Sequence, residues 1–524
     1  MNLSRFFAPS NYYQRYLIGI ALLIIALPFS KFLMSVAQFF LLGNWLLLYR
    51  NPIKSFQAFF KNKPALILSG IYLIHVLGML YSSDLKYGMD ELRKKLPLLF
   101  LPVIAASSPL IQKQHLIHLL KLFIVTVFAS SLVSIAIFSG ITGKEIIDIR
   151  TISIFVSHIR FALMICFAAL LSAYFFITEK SNMRYLFLFF IFWMTGMLML
   201  LESMTGLTIL GLAAFILLSY YVLKSEKQLL KTAYFSAVLI SIASIAIYLF
   251  TIYQKVSYVK PVDYSSLDKQ SASGEFYYHN TENLEHENGN LIWIYVTNDE
   301  LKNTWNEISS ISLDSLDLKG NPIRHTLIRF LASKGLRKDR EGLLSLSSAE
   351  IKAVEKGIAN VEYMESSSIN DRMHQIIWEI YNYKMGNNPN GHSLTMRLEF
   401  WKAALGIIKE NILLGVGTGD VNSAFLAQYE KTNSPLDAHN RLRAHNQYLE
   451  ITVALGLVGF LAFVFCLLYP VWINRKNLSY FYAAFFIIAL TSMITEDTLE
   501  TQAGVTFFAL FNTFLLIKGE EKQA

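Results

Sequence analysis

The residues best suited to chemistry lie between positions 397 and 459 of the 524-residue chain. Arg397 and Trp401 are four apart, on one face of an amphipathic run at 396–410 (MRLEFWKAALGIIKE). Glycines follow at 415, 417 and 419, in Gly415-Val-Gly-Thr-Gly-Asp420, and end that helix. Such a run lets backbone N–H groups converge on an anion, and it equally makes a plain helix stop and turn. It is no dinucleotide fingerprint, because it follows a helix and lacks the G-x-G-x-x-G register. Next comes Arg441-Leu-Arg-Ala-His-Asn-Gln-Tyr-Leu-Glu450. Read as a helix, this segment puts Arg441 and His445 on one face, and Asn446 and Glu450 together. The guanidinium forks of Arg441 and Arg443 suit phosphate. Histidine as a residue type suits a general base, and His445 supplies one here. One histidine with no second histidine or carboxylate at ligand spacing does not make a metal site.

These residues must be held by a membrane-embedded scaffold. Hydrophobic residues make up 54% of the chain and charged residues only 16%, against roughly a quarter charged in a soluble chain. That balance excludes a disordered chain, a soluble coiled coil and an ordinary cytosolic enzyme. Apolar runs at 15–30, 32–49, 65–81, 96–107, 116–139, 155–177, 184–201, 206–223 and 232–253 precede a polar stretch, and runs at 447–473, 478–495 and 502–517 follow it. Most approach the ~20 residues that cross a bilayer, and 96–107 is the short one. The fold class is therefore an all-α integral membrane protein of about twelve transmembrane helices. It divides into an N-terminal bundle (1–253), one large loop domain (254–446) and C-terminal helices (447–524). The first run lacks a small-residue cleavage site and reads as an uncleaved span. Cys166 and Cys466 sit inside apolar runs, so neither a disulfide framework nor a cysteine-based zinc site is expected.

Basic residues set the orientation. Lys and Arg are dense around 5–15, 50–63, 113–121, 180–184, 224–231, 475–476 and 518–522, and sparser around 31, 86–95 and 144–150. The positive-inside rule then puts both termini in the cytoplasm and the polar stretch outside. The net charge of +8 follows from that rule, without nucleic acid as a partner. In this topology His158, Arg160, Glu202, Ser203, Thr205, Glu496, Asp497 and Glu500 gather at the outer end of the bundle, beside Arg441, Arg443 and His445. Arg160 is enclosed by apolar residues (IRFALMICF), which points to function or to an ion pair with Glu202. In the loop, 348–360 starts with a helix cap and 261–290 reads as irregular.

Segment 397–459 resembles the signature region of the bacterial O-antigen ligase and polysaccharide polymerase family. The residues that carry the likeness are Arg397, Trp401, Gly415, Gly417, Gly419, His445, Asn446, Leu449, Gly456 and Gly459. The resemblance implies a GT-C-like membrane glycosyltransferase in the bacterial inner membrane, with its site facing the periplasm. Such an enzyme moves a glycan from undecaprenyl diphosphate to a glycan, lipid A-core or protein acceptor. It implies catalytic roles for His445 and Arg397, and donor contacts from Arg160, Arg441, Arg443, Trp401, Gly415, Gly417, Gly419 and Asn446, with no metal and no cofactor. A chain polymerase and a protein O-oligosaccharyltransferase share the motif. A polysaccharide or lipid transporter is the non-enzymatic alternative, but it would place charge near the bilayer midplane and show internal repeats. One departure stands out. Many members carry Ser-Arg-x-Gly where this chain has Ser203-Met204-Thr205-Gly206, so Arg160, Arg324, Arg329 and Arg443 are candidates for the missing charge.

Overall fold

The computed structural model describes residues 11–48, 52–143, 146, 148–364 and 369–517. Arg5, Arg50, Lys144, Lys518 and Lys522, which carry part of the orientation argument, lie outside the described residues. The chain is mostly helical, and each predicted apolar run forms a helix. Among the described residues six helices are long and apolar enough to cross a membrane: Lys63–Tyr81, Lys113–Phe138, His158–Thr178, Met204–Lys224, Gln228–Ser257 and Gln447–Asn477. Tyr12–Ala26, Arg184–Leu200, Tyr480–Thr495 and Gln502–Leu516 are shorter and equally apolar. This is a multi-pass membrane protein. The run at 96–107 differs from expectation. Helix Pro97–Ser107 has 11 residues, a rise of roughly 17 Å against ~30 Å of hydrocarbon. It continues helix Leu85–Lys95 through a bend at Leu96, where Pro97 offers no N–H.

Helix His158–Thr178 is the central post, buried along nearly its whole length. Phe123, Phe167, Phe485, Phe507 and Phe511 pack edge to face around it, with Phe123–Phe511 and Phe167–Phe511 ring centres both 4.9 Å apart. Among the described residues the polar stretch forms two large packing groups and a small one around Trp378. Trp305, Leu327, Phe330, Leu331 and Leu343 make the core of the first. It includes helix Ser348–Glu355, started by a capping box between Ser347 and Glu350 as its sequence predicts. Among the described residues the only sheet is a two-stranded hairpin, His286–Glu287 against Asn290–Leu291. In the second group Phe400, Ala404, Ile407, Phe425 and Tyr429 share a core with Val453, Ala454 and Leu455 of the following span and with Ile74. That second group is built onto the membrane helices, and it carries the site.

The two glycine sets of the signature meet in one device. Helix Gln447–Asn474 is broken at Gly456, where φ is 64°. The turn at 411–417 plugs into the break. Val416 and Gly417 donate N–H bonds to Val453 and Ala454 carbonyls, while Leu457 and Val458 donate to those of Ile412 and Leu413. Irregular backbone at a membrane helix is tolerated where protein satisfies its polar groups, as here. A Cβ at Gly456 would collide with Leu413 backbone in an already left-handed conformation, and one at Gly415 would lie 2.5 Å from Leu455 N. Gly456→Ala is expected to destabilise the protein by at least the ~1–2 kcal/mol of left-handed strain. Thermal unfolding in detergent checks this: an unchanged midpoint would mean that the junction is not rigid.

Candidate functional site

Helix Tyr480–Thr495 stops at Glu496, whose backbone is extended, and the turn to the next span presents Glu496, Asp497 and Glu500 inward. Arg160, Arg397, Arg443 and Lys95, from four separate stretches of the chain, bring cations to them. Arg160, in the first turn of the central post, donates from Nη1 to Glu496 Oε2 (3.1 Å) and from Nη2 to Asp497 Oδ1 (3.0 Å). Its Nη2 also reaches the Asp497 carbonyl, and its Nε reaches Thr501 Oγ1. Arg397, from helix Ser393–Glu410, donates Nη2 to Glu496 Oε1 at 2.5 Å. Glu496 thus joins two guanidiniums and is only 1% exposed. A carboxylate so buried is tolerated because both oxygens are paired.

His445 faces the same carboxylates. Its Nδ1 lies 3.8 Å from Asp497 Oδ1 and 4.0 Å from Glu496 Oε2, beyond hydrogen-bond reach, and has no hydrogen-bond partner among the described residues. Its ring packs at 5.7 Å from that of Phe400. The segment before it is irregular, so Arg441 and His445 do not share a helical face as the sequence predicts. His445 has φ 46°, unusual for any residue with a side chain. The helix begins only at Gln447, because Asn446 caps it by accepting from Tyr448 and Leu449 N–H groups. The left-handed turn at 445 aims the imidazole at Glu496 and Asp497, and the cap fixes the turn.

A second cluster adjoins the first. Arg443 Nη1 lies 3.0 Å from Glu450 Oε1 and 3.5 Å from Glu500 Oε2, and donates to Tyr87 Oη at 3.1 Å. Lys95, at the bend before Pro97, donates to Glu500 Oε2 (2.6 Å) and Glu91 Oε2 (2.9 Å). Gln447 Nε2 donates to Glu500 Oε1 at 3.0 Å. Burial opposes the charge on Arg443, but Glu450 and Glu500 outweigh it and raise its pKa. Burial likewise opposes ionisation of Glu500, yet Lys95 and Arg443 hold its carboxyl well below the usual range.

The predicted residues therefore separate. His445, Arg397, Arg160 and Arg443 converge. Arg160 is almost fully enclosed, with all three of its nitrogens engaged, and its acidic partners are Glu496 and Asp497, not Glu202. Arg397 gives only Nη2 to Glu496, and its side chain is 21% exposed. Arg441 stands outside the cluster, its Nε on the Leu436 carbonyl. Trp401 donates Nε1 to the carbonyl of Ala444, bracing the turn at His445. Arg324 and Arg329 pair within the loop unit, with Asn298 and Glu287. The glycine turn is not an anion nest. Its N–H groups at 415, 416, 417, 418 and 419 all go to protein acceptors, and Asp420 accepts from Ser83 and Asp84 N–H groups. The turn stop is the role the geometry gives these glycines, and Asn446 serves as a cap.

Sequence reasoning did not single out Lys95, Glu91 and Glu450 as members of the cluster. The first two look like part of an exposed amphipathic helix. The signal available was the Glu91–Lys95 spacing immediately before Pro97. His445, Glu496 and Asp497 also offer ligand atoms within 4.8 Å of one another, enough to consider a metal. The same carboxylate oxygens, however, accept from Arg160, which a dication would have to displace. The guanidinium occupies the place a cation would take.

Residues 357–464 match a family model described as O-antigen ligase. Over 101 residues the chain is 36% identical to an uncharacterised protein of Haemophilus influenzae, a match covering 19% of this chain and 25% of that protein. The shared part is thus about a quarter of the relative's length. The O-antigen ligase match contains Arg397, His445, the glycine turn and the helix break at Gly456.

Proposed function

We propose that this chain, which carries an O-antigen ligase-related segment, is a glycosyltransferase of the inner membrane. It moves a glycan from undecaprenyl diphosphate to an acceptor hydroxyl on the periplasmic side. The observation that carries the reading is the convergence of Arg160, Arg397 and His445 on Glu496 and Asp497. Arg397, fixed at one end by Glu496 and partly exposed, offers its remaining N–H groups to the diphosphate. Arg160 sets Glu496 and so sets Arg397. It also lies two residues from Ala162, which packs against Gly206, and so stands beside the stretch that lacks the usual arginine.

His445 is the base. The carboxylates facing Nδ1 favour the tautomer with its proton there, leaving Nε2 to accept the acceptor hydroxyl's proton. The hydroxyl oxygen attacks the anomeric carbon as the bond to the diphosphate oxygen breaks, with inversion. Negative charge developing on the leaving diphosphate is met by preorganised guanidinium. Both termini are cytoplasmic and the site is periplasmic in this reading, with about twelve spans, the bent helix from Leu85 to Ser107 counting as one. The donor being lipid-linked, deletion of the gene is expected to leave glycan accumulated on undecaprenyl diphosphate and missing from its acceptor. Normal surface glycan with no accumulated carrier would remove the reading.

A further inference from the structure

Among the described residues, helix Gln228–Ser257 is held to the rest of the protein mainly near its two ends. At the first, Tyr234 stacks on Phe215 and its hydroxyl lies 2.7 Å from Ser219 Oγ. At the second, Ile252 and Val256 join Trp378, Met373, Ile377 and Tyr381 of helix Ile369–Lys384. Between these anchors, residues 239–248 are exposed without exception, through almost three turns and on every face. The facing part of helix Met204–Lys224 is open too: Thr208, Gly211 and Leu212 are exposed, and among the described residues no other element comes within 4 Å of where a Cβ on Gly211 would lie. Within residues 239–248 only the Tyr248 hydroxyl reaches protein among the described residues, donating to Asn370 Oδ1 at 2.8 Å, so the apolar faces of this stretch, including the side toward the bundle, are surrounded by hydrocarbon.

From this we infer that the space between these two helices is a lateral port that holds the polyprenyl chain of the donor. The inference rests on the function proposed above. The port is framed by apolar residues such as Leu239, Ile242 and Ile245, so only a hydrocarbon chain fits it. Its outer end is bounded by two elements that adjoin the functional site. On one side is the start of helix Met204–Lys224, where Gly206 packs on Ala162, two residues from Arg160. Above it is helix Ile369–Lys384, whose chain leads directly into the helix bearing Arg397. A chain lying in the port carries its diphosphate to the partly exposed guanidinium of Arg397, a match of charge at the head and of apolarity along the tail. The anchors at both ends keep the frame open without a protein plug.

The test is photo-crosslinking in the full chain. A benzophenone amino acid replaces Ile242 or Ser244 in the port, or Leu461, an exposed residue on the broken span. The protein is reconstituted in phosphatidylethanolamine vesicles containing undecaprenyl diphosphate, and adducts are identified by mass. Prenyl adducts at 242 and 244 are expected at least about tenfold above the lipid's mole fraction, with none of that excess at 461. Arg397→Ala should reduce the excess by loosening the head. Prenyl and acyl adducts in the bulk ratio at all three positions would overturn the port, as would adducts to a second copy of the chain. If the bulk ratio appears while the same preparation still transfers glycan, the port fails and the functional reading stands. If the prenyl excess persists unchanged in Arg397→Ala and with undecaprenol, the chain site stands and the diphosphate reading fails.

Discussion

His445→Ala is expected to reduce turnover by roughly 10²–10⁴-fold while donor affinity stays near that of the unaltered protein. The ring sits at the meeting point of Arg160, Arg397, Glu496 and Asp497, yet its Nδ1 makes no hydrogen bond among the described residues. A side chain with only a packing role has no need of a left-handed backbone, and His445 is held in one by Trp401 on Ala444 and by the Asn446 cap. Strain maintained by two neighbouring devices is a reason to assign the residue a task. Were His445 instead a hydrogen-bond donor to the diphosphate, His445→Ala would weaken donor binding together with turnover, and His445→Gln would keep much of the activity. Affinity and rate measured on both variants separate the two roles. A normal rate in both would reject either role.

The second large effect is expected at Arg397. Arg397→Ala removes one charge-assisted bond to a buried anion and should cost about 2–3 kcal/mol in transfer, or some 30–150-fold. The fold should survive, because Glu496 keeps its bond to Arg160 and is not left as an unpaired buried charge. Arg397→Lys should restore only part of the activity, since a point charge cannot hold Glu496 and a phosphate in one plane. Arg160→Ala should behave differently. It strips Glu496 and Asp497 of their main partner, so loss of stability should accompany loss of activity, measurable as a lower unfolding midpoint in detergent.

Much of the scaffold was legible in the sequence because apolar runs of near-bilayer length have few alternatives to helix. The exception, 96–107, is instructive: its apolar stretch is the far half of a bent helix whose near half, with Glu91 and Lys95, is polar in composition yet buried in place. Arg160 could be identified as a functional candidate from its apolar surroundings, but its partners could not. Glu496 and Asp497 lie more than three hundred positions away, and nothing local favours them over Glu202. Arg441 and His445 do not share a helical face, because Asn446 caps the helix and it starts only after the histidine. The glycines at 415, 417 and 419 were legible as a turn. Their junction with Gly456 was not, because it joins two glycine sets some forty residues apart through backbone hydrogen bonds that leave no side-chain pattern. Arg397 and Trp401, by contrast, lie four apart on one helix, as their spacing suggests.

The central claim is that this site transfers a glycan from a lipid diphosphate using His445. The most direct measurement is release of undecaprenyl diphosphate by purified protein given lipid-linked glycan and a hydroxyl acceptor. The account predicts release in step with acceptor glycosylation, lost in His445→Ala while that variant still binds the donor. Release that is absent in the unaltered protein, or undiminished in His445→Ala, would contradict it.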